Sequence, residues 1–281
     1  MFDVTHPEVL SAVRRALEED IGPGDVTSQA CVDASLRVSG RFFARQPMVL
    51  AGVELLPAIY EARGGVESLK LECASGDQIE PGTCVAAVAG RARTLLECER
   101  VALNFLQRLS GVATLARRYV KAVEGTRCRI LDTRKTTPGL RRLEKMAAAA
   151  GGVTNHRMGL FDAILIKNNH VAAAGGVRQA VERARALGLP VECEARTRAE
   201  IEEAIAAGAA HLLLDNMTPG EAREEIRLIA GRATVELSGG ITLETVRAYA
   251  EAGPDFISVG AITHSAAAMD LNFRLDWTVN A

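Results

Sequence analysis

A chain of 281 residues can hold one large domain, or a barrel with a smaller domain beside it. Its net charge of −2 lacks the basic excess of a general nucleic-acid binder, and no apolar run approaches the ~18 residues of a membrane span. Hydrophobic residues make up 48% and aromatics only 4%, so the core must be aliphatic. Cys31, Cys73, Cys84, Cys98, Cys128 and Cys193 form no C-x-x-C pair and are expected as reduced thiols. The opening MFDVTHPEVL has an early Asp3 and no apolar stretch after a basic start, unlike a secretory signal. These features predict a cytoplasmic protein.

The first predicted element is a helix in THPEVLSAVRRALEEDIGPG. Thr5 and Glu8 fit a capping box, Pro7 suits the first turn, and Val9, Leu10, Val13 and Leu17 form one stripe. Gly22-Pro23-Gly24 should end it. From Leu36 to Arg93, short alternating runs split by Gly and Pro turns predict a small antiparallel sheet with one helical stretch near 53–62. The turn ASGDQIEPGTCV resembles those of small β carrier modules, but no lysine follows at a hairpin tip. Residues from Thr94 to Gly125 read as a long helix at a domain junction, bent or broken at Gly111.

Beyond it the pattern turns regular. The strands CRILD, AILIK, VECEA, HLLLD, TVELS and FISVG alternate with helical segments such as VRQAVERARALG, RAEIEEAIAAG and LETVRAYAEAG. Strand–helix repetition implies parallel strands with crossover helices. Six or seven such units with no G-x-G-x-x-G after the first strand favour a β/α barrel over a dinucleotide-binding sheet.

In such barrels chemistry collects at the C-terminal strand ends, and here each end carries polar residues or glycine. Thr133, Arg134 and Lys135 follow the first strand, and Lys167 ends the second. His156 and Arg157 lie between them. These cations repel one another unless an anion arrives, so the site expects a diphosphate, a multicarboxylate or both. Glu192 and Glu194 share a strand face, and Glu194 and Asp215 sit on successive strands. The latter two could bind ribose hydroxyls, hold Mg²⁺ directly or through water, shield a developing cationic sugar, or form a charge pair inside the barrel. Ser238-Gly239-Gly240 and Val259-Gly260-Ala261 each precede a helix, where backbone N–H groups suit a phosphate, with His264 nearby. One ligand is therefore expected to be a sugar phosphate. A histidine metal centre is not expected, because His156, His170, His211 and His264 lack ligand spacing. LLLDNMTPG imitates the acidic loop of common phosphoribosyltransferases, but Asn216 replaces the second acid and Pro219 stiffens the turn.

The segments DTRKTTPGLR, GGVTNHRMGLFDAILIKNNH, ECEA, LLLDN, ELSGGI and VGAITHS, in this order, strongly resemble the quinolinate phosphoribosyltransferase family. EDIGPGDVTS and ERVALNFLQRLSG extend the resemblance over nearly the whole chain. It implies an α/β fold: an incomplete seven-stranded α/β barrel, residues 109–268, preceded by an N-terminal open α/β sandwich domain, residues 1–108. Residues 269–281 are expected to return to that first domain. It implies transfer of a phosphoribosyl group from phosphoribosyl pyrophosphate to quinolinate with Mg²⁺, releasing pyrophosphate and CO₂ and giving nicotinate mononucleotide for NAD synthesis. The assembly implied is a homodimer or larger homo-oligomer in which Arg100 enters the neighbour's site. Arg134, His156, Arg157 and Lys167 would surround the quinolinate carboxylates, with Thr133 beside them, and Lys135 would reach toward the phosphoribosyl group. Glu194 and Asp215 would face ribose and magnesium, and Ser238, Gly239, Gly240, Val259, Gly260, Ala261 and His264 would hold the 5′-phosphate. Asn168 stands where many members carry an acid, but it replaces no assigned ligand. A paralogous transferase acting on another acid base remains the alternative. A Schiff-base aldolase using Lys167 fits less well, because the surrounding cations suit anion binding.

Overall fold

The computed structural model describes residues 3–276. In chain order the elements are α1 (Pro7–Ile21), α2 (Val26–Cys31), β1 (Arg37–Ala44), β2 (Met48–Val49), α3 (Leu56–Glu61), β3 (Ser68–Leu71), β4 (Gln78–Ile79), β5 (Cys84–Arg91) and α4 (Ala92–Ala122). Then come β6 (Arg129–Leu131), α5 (Arg141–Ala150), β7 (Ile164–Ile166), α6 (Asn168–Ala174), α7 (Val177–Arg185), β8 (Val191–Ala195), α8 (Arg198–Ala206) and β9 (His211–Asp215). The chain continues through α9 (Pro219–Ile229), β10 (Thr234–Ser238), α10 (Val246–Glu251), β11 (Phe256–Ser258), α11 (Ala261–His264) and β12 (Leu271–Asp276). None of the described helices is long and apolar enough to cross a membrane.

Two compact units result. The first comprises described residues 3–117, 137–152 and 265–276, and the second 118–136 and 153–264. In the first, an antiparallel sheet runs β12-β1-β5-β3, with β2 and β4 as a separate pair. Phe42 and Phe273 pack across β1 and β12 with centroids 4.7 Å apart and ring planes tilted by 43°. Residues 277–281 of the segment expected to return here lie outside the described residues. Helix α1 starts one residue later than the capping box predicts: the N-cap is His6, whose Nδ1 accepts from Glu8 N at 3.2 Å. Pro7 occupies the first helical turn and makes His6 the boundary, while the Thr5 hydroxyl donates to Asp3 at 2.7 Å.

Helix α4 is not broken at Gly111 and runs through it to Ala122. The glycine serves a close approach instead: a Cβ there would lie 2.1 Å from the carbonyl oxygen of Ala267. Nearby, Glu144 is fully buried in α5 and accepts from Arg108 Nε at 3.0 Å, Arg108 Nη2 at 2.7 Å and Thr137 N at 2.9 Å. The carboxylate is thereby satisfied and ties the chain after Lys135 to the start of α5.

In the second unit the sheet order is β6-β11-β10-β9-β8-β7, and every pairing is parallel. Six strands thus form one sheet, with β6 and β7 at its ends. The expected seventh position, beside β6, is filled by one parallel bridge between Leu131 and Thr154. Buried Asp132 takes the next two residues off the ladder, accepting from Asn155 Nδ2 at 2.7 Å and His156 N at 2.8 Å. The sheet also curls. On a flat sheet Thr154 and β8 would be roughly 24 Å apart at ~4.8 Å per strand. Yet His156 Nε2 lies 3.3 Å from Glu192 Oε2 on β8.

Alternation along the strands divides the side chains. Cys193, Leu212, Leu214, Val235, Leu237 and Ile257 are buried on one face. On the other face Glu192, Glu194, Leu213, Asp215, Glu236, Ser238 and Ser258 line the interior. Strands β8, β9, β10 and β11 therefore supply apolar burial with one parity and chemistry with the other, whereas β6 and β7 present Leu131 and Leu165 to the interior.

Candidate active site

The interior opens into a cavity of about 290 Å³ at the C-terminal strand ends. Thr133, Arg134, Lys135, His156, Arg157, Lys167, Glu194, Asp215 and Ser238 all line it, although they span more than a hundred residues of sequence. Arg134 and Lys135 sit in the loop leaving β6, where Lys135 N donates to Thr133 Oγ1 at 3.0 Å. Lys167 caps α6 immediately after β7, and its backbone N–H donates to His170 Nδ1 at 2.9 Å. His170 is thus a capping residue. Arg157 anchors on the Ala163 carbonyl at 3.0 Å, in a loop whose N–H groups at Met158 and Gly159 are held by Asp162. Burial first, and then the nearby Arg134, push the Arg157 pKa below its ordinary value. Crowded, partly desolvated cations make this wall ready for an anion.

The acids face one another across a guanidinium. Arg196 Nη2 donates to Glu194 Oε1 at 3.0 Å and to Asp215 Oδ2 at 3.1 Å. Asn216 adds a bond to Asp215 Oδ2 at 2.7 Å, and its own N–H donates to Ser238 O at 2.9 Å. Asn216 has φ 59°, a left-handed conformation that asparagine tolerates better than most residues. So the residue that departs from a common acidic loop here orients Asp215. These bonds leave Glu194 Oε2 and Asp215 Oδ1 on the acid side as hard oxygen donors, which suit Mg²⁺.

Ser238 and Ser258 line the cavity, whereas Gly239, Gly240, Val259, Gly260, Ala261 and His264, which follow them in the chain, are not among its lining residues. Gly239 has φ 103°, and a Cβ there would lie 2.2 Å from Asn216 Oδ1, so only glycine fits. Gly240 follows with φ 60°. At Gly260 a Cβ would lie 2.8 Å from Lys135 Cδ and 3.2 Å from His264 Nε2. Lys135 and His264 therefore meet over bare backbone, and Thr263 Oγ1 fastens that turn by donating to Lys135 O at 2.8 Å. Val259 is buried, its N–H donating to Leu131 O at 3.0 Å, and Ala261 begins α11. Arg100 is exposed on α4 in the first unit.

Three polar groups were missed or left without a role in the sequence. Arg196 lies two residues after Glu194, on the same strand parity, and that spacing was its signal. Glu236 lies two before Ser238 by the same logic, inside an otherwise apolar strand. Glu192 was placed on the Glu194 face but given no partner. Both glutamates meet His156, whose Nε2 is 3.3 Å from Glu192 Oε2 and 3.5 Å from Glu236 Oε2. Tertiary structure thus gathers a His–Glu–Glu cluster that histidine spacing concealed. It is not arranged for a metal. His156 Nδ1 accepts the Arg157 N–H at 2.7 Å, so the ring proton is on Nε2 and blocks that nitrogen as a ligand.

Comparison with known proteins gives consistent matches. The family described as quinolinate phosphoribosyl transferase, C-terminal domain, matches residues 112–274, and the corresponding N-terminal domain matches residues 25–110. The chain is 40% identical over 278 residues to the probable carboxylating nicotinate-nucleotide pyrophosphorylase of Bacillus subtilis, covering 96% of this chain and 94% of that protein. It is 40% identical to the Mycobacterium leprae carboxylating nicotinate-nucleotide pyrophosphorylase, covering 94% and 95%. Among solved structures, NadC from Streptococcus pyogenes superposes with a TM-score of 0.90 at 39% identity, covering 95% of each chain.

Proposed function

The chain belongs to the quinolinate phosphoribosyltransferase family, and from that premise we propose that it joins quinolinate to phosphoribosyl pyrophosphate. The reaction releases pyrophosphate and CO₂ and yields nicotinate mononucleotide for NAD biosynthesis. The observation that carries this reading is the single cavity with cations on one wall and Glu194, Asp215 and Ser238 on the other. Arg134, Arg157 and Lys167 meet the two carboxylates of quinolinate, with Thr133 beside them and His156 bonded to the Arg157 backbone. Lys135 extends toward the phosphoribosyl group. The Ser238-Gly239-Gly240 and Val259-Gly260-Ala261 turns, with His264, take the 5′-phosphate, since small residues let an oxyanion approach backbone N–H groups.

Holding the ring nitrogen in line with C1 of the ribose accounts for much of the rate, because positioning substitutes for covalent work by the protein. As pyrophosphate leaves, positive charge grows at C1, and Glu194 and Asp215 stabilise it. The quaternised ring nitrogen then stabilises the carbanion left on the adjacent ring carbon as its carboxylate departs as CO₂, and that carbon takes up a proton from solvent to give nicotinate mononucleotide. Mg²⁺ would be held by Glu194 and Asp215, directly or through water, and when bound it neutralises charge on the diphosphate. The working form is a homodimer or larger homo-oligomer in which Arg100 completes the neighbour's site. The free thiols suit the cytoplasm.

The test is product analysis. The protein is mixed with phosphoribosyl pyrophosphate, Mg²⁺ and either quinolinate, nicotinate or nicotinamide. Nicotinate mononucleotide with CO₂ from quinolinate alone is the expected result. Product from another acid base instead would point to a different acceptor on the same fold.

A further inference from the structure

Two glutamates beside an anion site need an explanation: Glu236 lines its cavity, and Glu192 lines the adjoining pocket with His156 and Glu236. Glu192 comes from β8 and Glu236 from β10, and the Oε2 atoms of both lie within 3.5 Å of one imidazole nitrogen. Two ionised carboxylates so close would repel each other and also the incoming anion. One Nε2–H cannot neutralise both, because the imidazole that accepts at Nδ1 carries no charge. Moreover, Glu236 is 4% exposed, and its Oε1 is buried with no direct hydrogen-bond partner among the described residues. An ionised carboxylate there would carry charge where burial outweighs the one hydroxyl that favours it, that of Ser258.

The surroundings resolve which acid holds the proton. Glu192 faces the cation wall, close enough to Arg157 to stabilise its charge. Lys167, after the adjacent strand β7, and Arg134 line the same cavity. Glu236 instead has Ser258 from β11 and, across β9, His211 near the other end of the interior. Asp132, from β6, is occupied by Asn155 and the His156 backbone.

We propose that Glu236 works as a neutral carboxylic acid beside Glu192, and that the pair grips the Nε2–H of His156 so that His156 holds Arg157 in place. Burial, then the neighbouring Glu192, push the Glu236 carboxyl up to about 8, which agrees with this geometry. Both glutamates are positioning residues, acting through His156 and Arg157. The inference rests on the quinolinate reading for its consequence, and on the cluster alone for its protonation state.

The first experiment needs no substrate. Carbon-13 NMR of protein labelled at the glutamate side-chain carboxyls should show one resonance titrating near pH 8, absent from Glu236→Gln. No resonance titrating above pH 6 overturns the proposal, whatever the enzyme's acceptor. The second experiment is steady-state kinetics between pH 6.5 and 9.5. The wild-type KM for quinolinate should rise above about pH 8, as Glu236 ionises beside the anion site, with the KM for phosphoribosyl pyrophosphate steady. Glu236→Gln, a neutral isostere, should keep the neutral-pH KM and remove the alkaline rise. Glu236→Ala should raise the quinolinate KM by about tenfold with kcat little changed. A Gln variant as impaired as the Ala variant at pH 7, or a flat wild-type profile, also overturns it.

Discussion

At the scale of single residues, two side chains organise what the charged rim can do. Arg196 stands between Glu194 and Asp215 and orients both with one guanidinium. Its side chain is 49% exposed, so its contribution to stability is modest, about 1 kcal/mol or less. Its larger effect is on geometry. Arg196→Met should lower kcat/KM for phosphoribosyl pyrophosphate by about tenfold while the melting temperature moves by only a few degrees, checked by kinetics and calorimetry. Glu236 acts oppositely, with a small exposed surface and a large titration effect. Its folded pKa of about 8 exceeds the ordinary carboxyl value of 4.5, so between those values the unfolded chain has lost a proton that the folded one keeps. Stability contributed by the neutral acid is complete below pH 4.5 and lost as pH rises through about 8. Wild type should therefore lose stability relative to Glu236→Gln across that window, with a slope approaching ~1.4 kcal/mol per pH unit. Urea titrations of both proteins at several pH values would show it, and parallel curves would contradict it.

At the scale of elements, α4 shows how packing overrides local preference. Gly111 in the middle of a helix costs up to ~1 kcal/mol relative to alanine, and propensity alone predicts that Gly111→Ala stabilises. The structure predicts the reverse, because the new Cβ would lie 2.1 Å from the Ala267 carbonyl oxygen and 3.4 Å from Ala268 Cα. Backbone cannot yield as a flexible side chain does, so overpacking of about 1–3 kcal/mol exceeds the propensity gain. Thermal unfolding of Gly111→Ala should show a lower melting temperature than wild type. The parallel strands follow the same division of labour. In β9 and β10, Leu212, Leu214, Val235 and Leu237 are at most 2% exposed, and the alternate positions carry Asp215, Glu236 and Ser238.

At the scale of the whole molecule, the proposed assembly makes a prediction that no single chain can fulfil. If Arg100 completes a neighbour's site, Arg100→Ala and Arg134→Ala should each be nearly inactive alone. Mixed after unfolding and refolding together, they should recover up to about a quarter of wild-type activity, because half the dimers then hold one intact site. No recovery, with co-refolding verified by differently tagged chains, would place Arg100 in its own subunit's site or in none. The match over both family domains gives the experiment its basis, since residues 25–110 and 112–274 are accounted for by one architecture.

Much of this was legible in the linear order. Strand–helix repetition specified the parallel sheet, and polar strand ends marked the rim, because side-chain alternation and the C-terminal placement of loops are local consequences of backbone geometry. Lys135, Glu194, Asp215 and Ser238 were readable one by one for that reason, and the structure lines one cavity with them. Local rules erred where two signals competed. Thr5 matched a capping pattern, yet Pro7 set the boundary at His6, and Gly111 matched a helix breaker, yet it serves a contact. Only tertiary structure decided that Arg196 bridges two carboxylates, that Asn216 orients Asp215, and that His156, Glu192 and Glu236 meet. The last of these brings β8 and β10, on either side of β9, to a segment beside β6 across a curled sheet, and the state of a buried proton depends on who stands across the barrel rather than on who stands next in the chain.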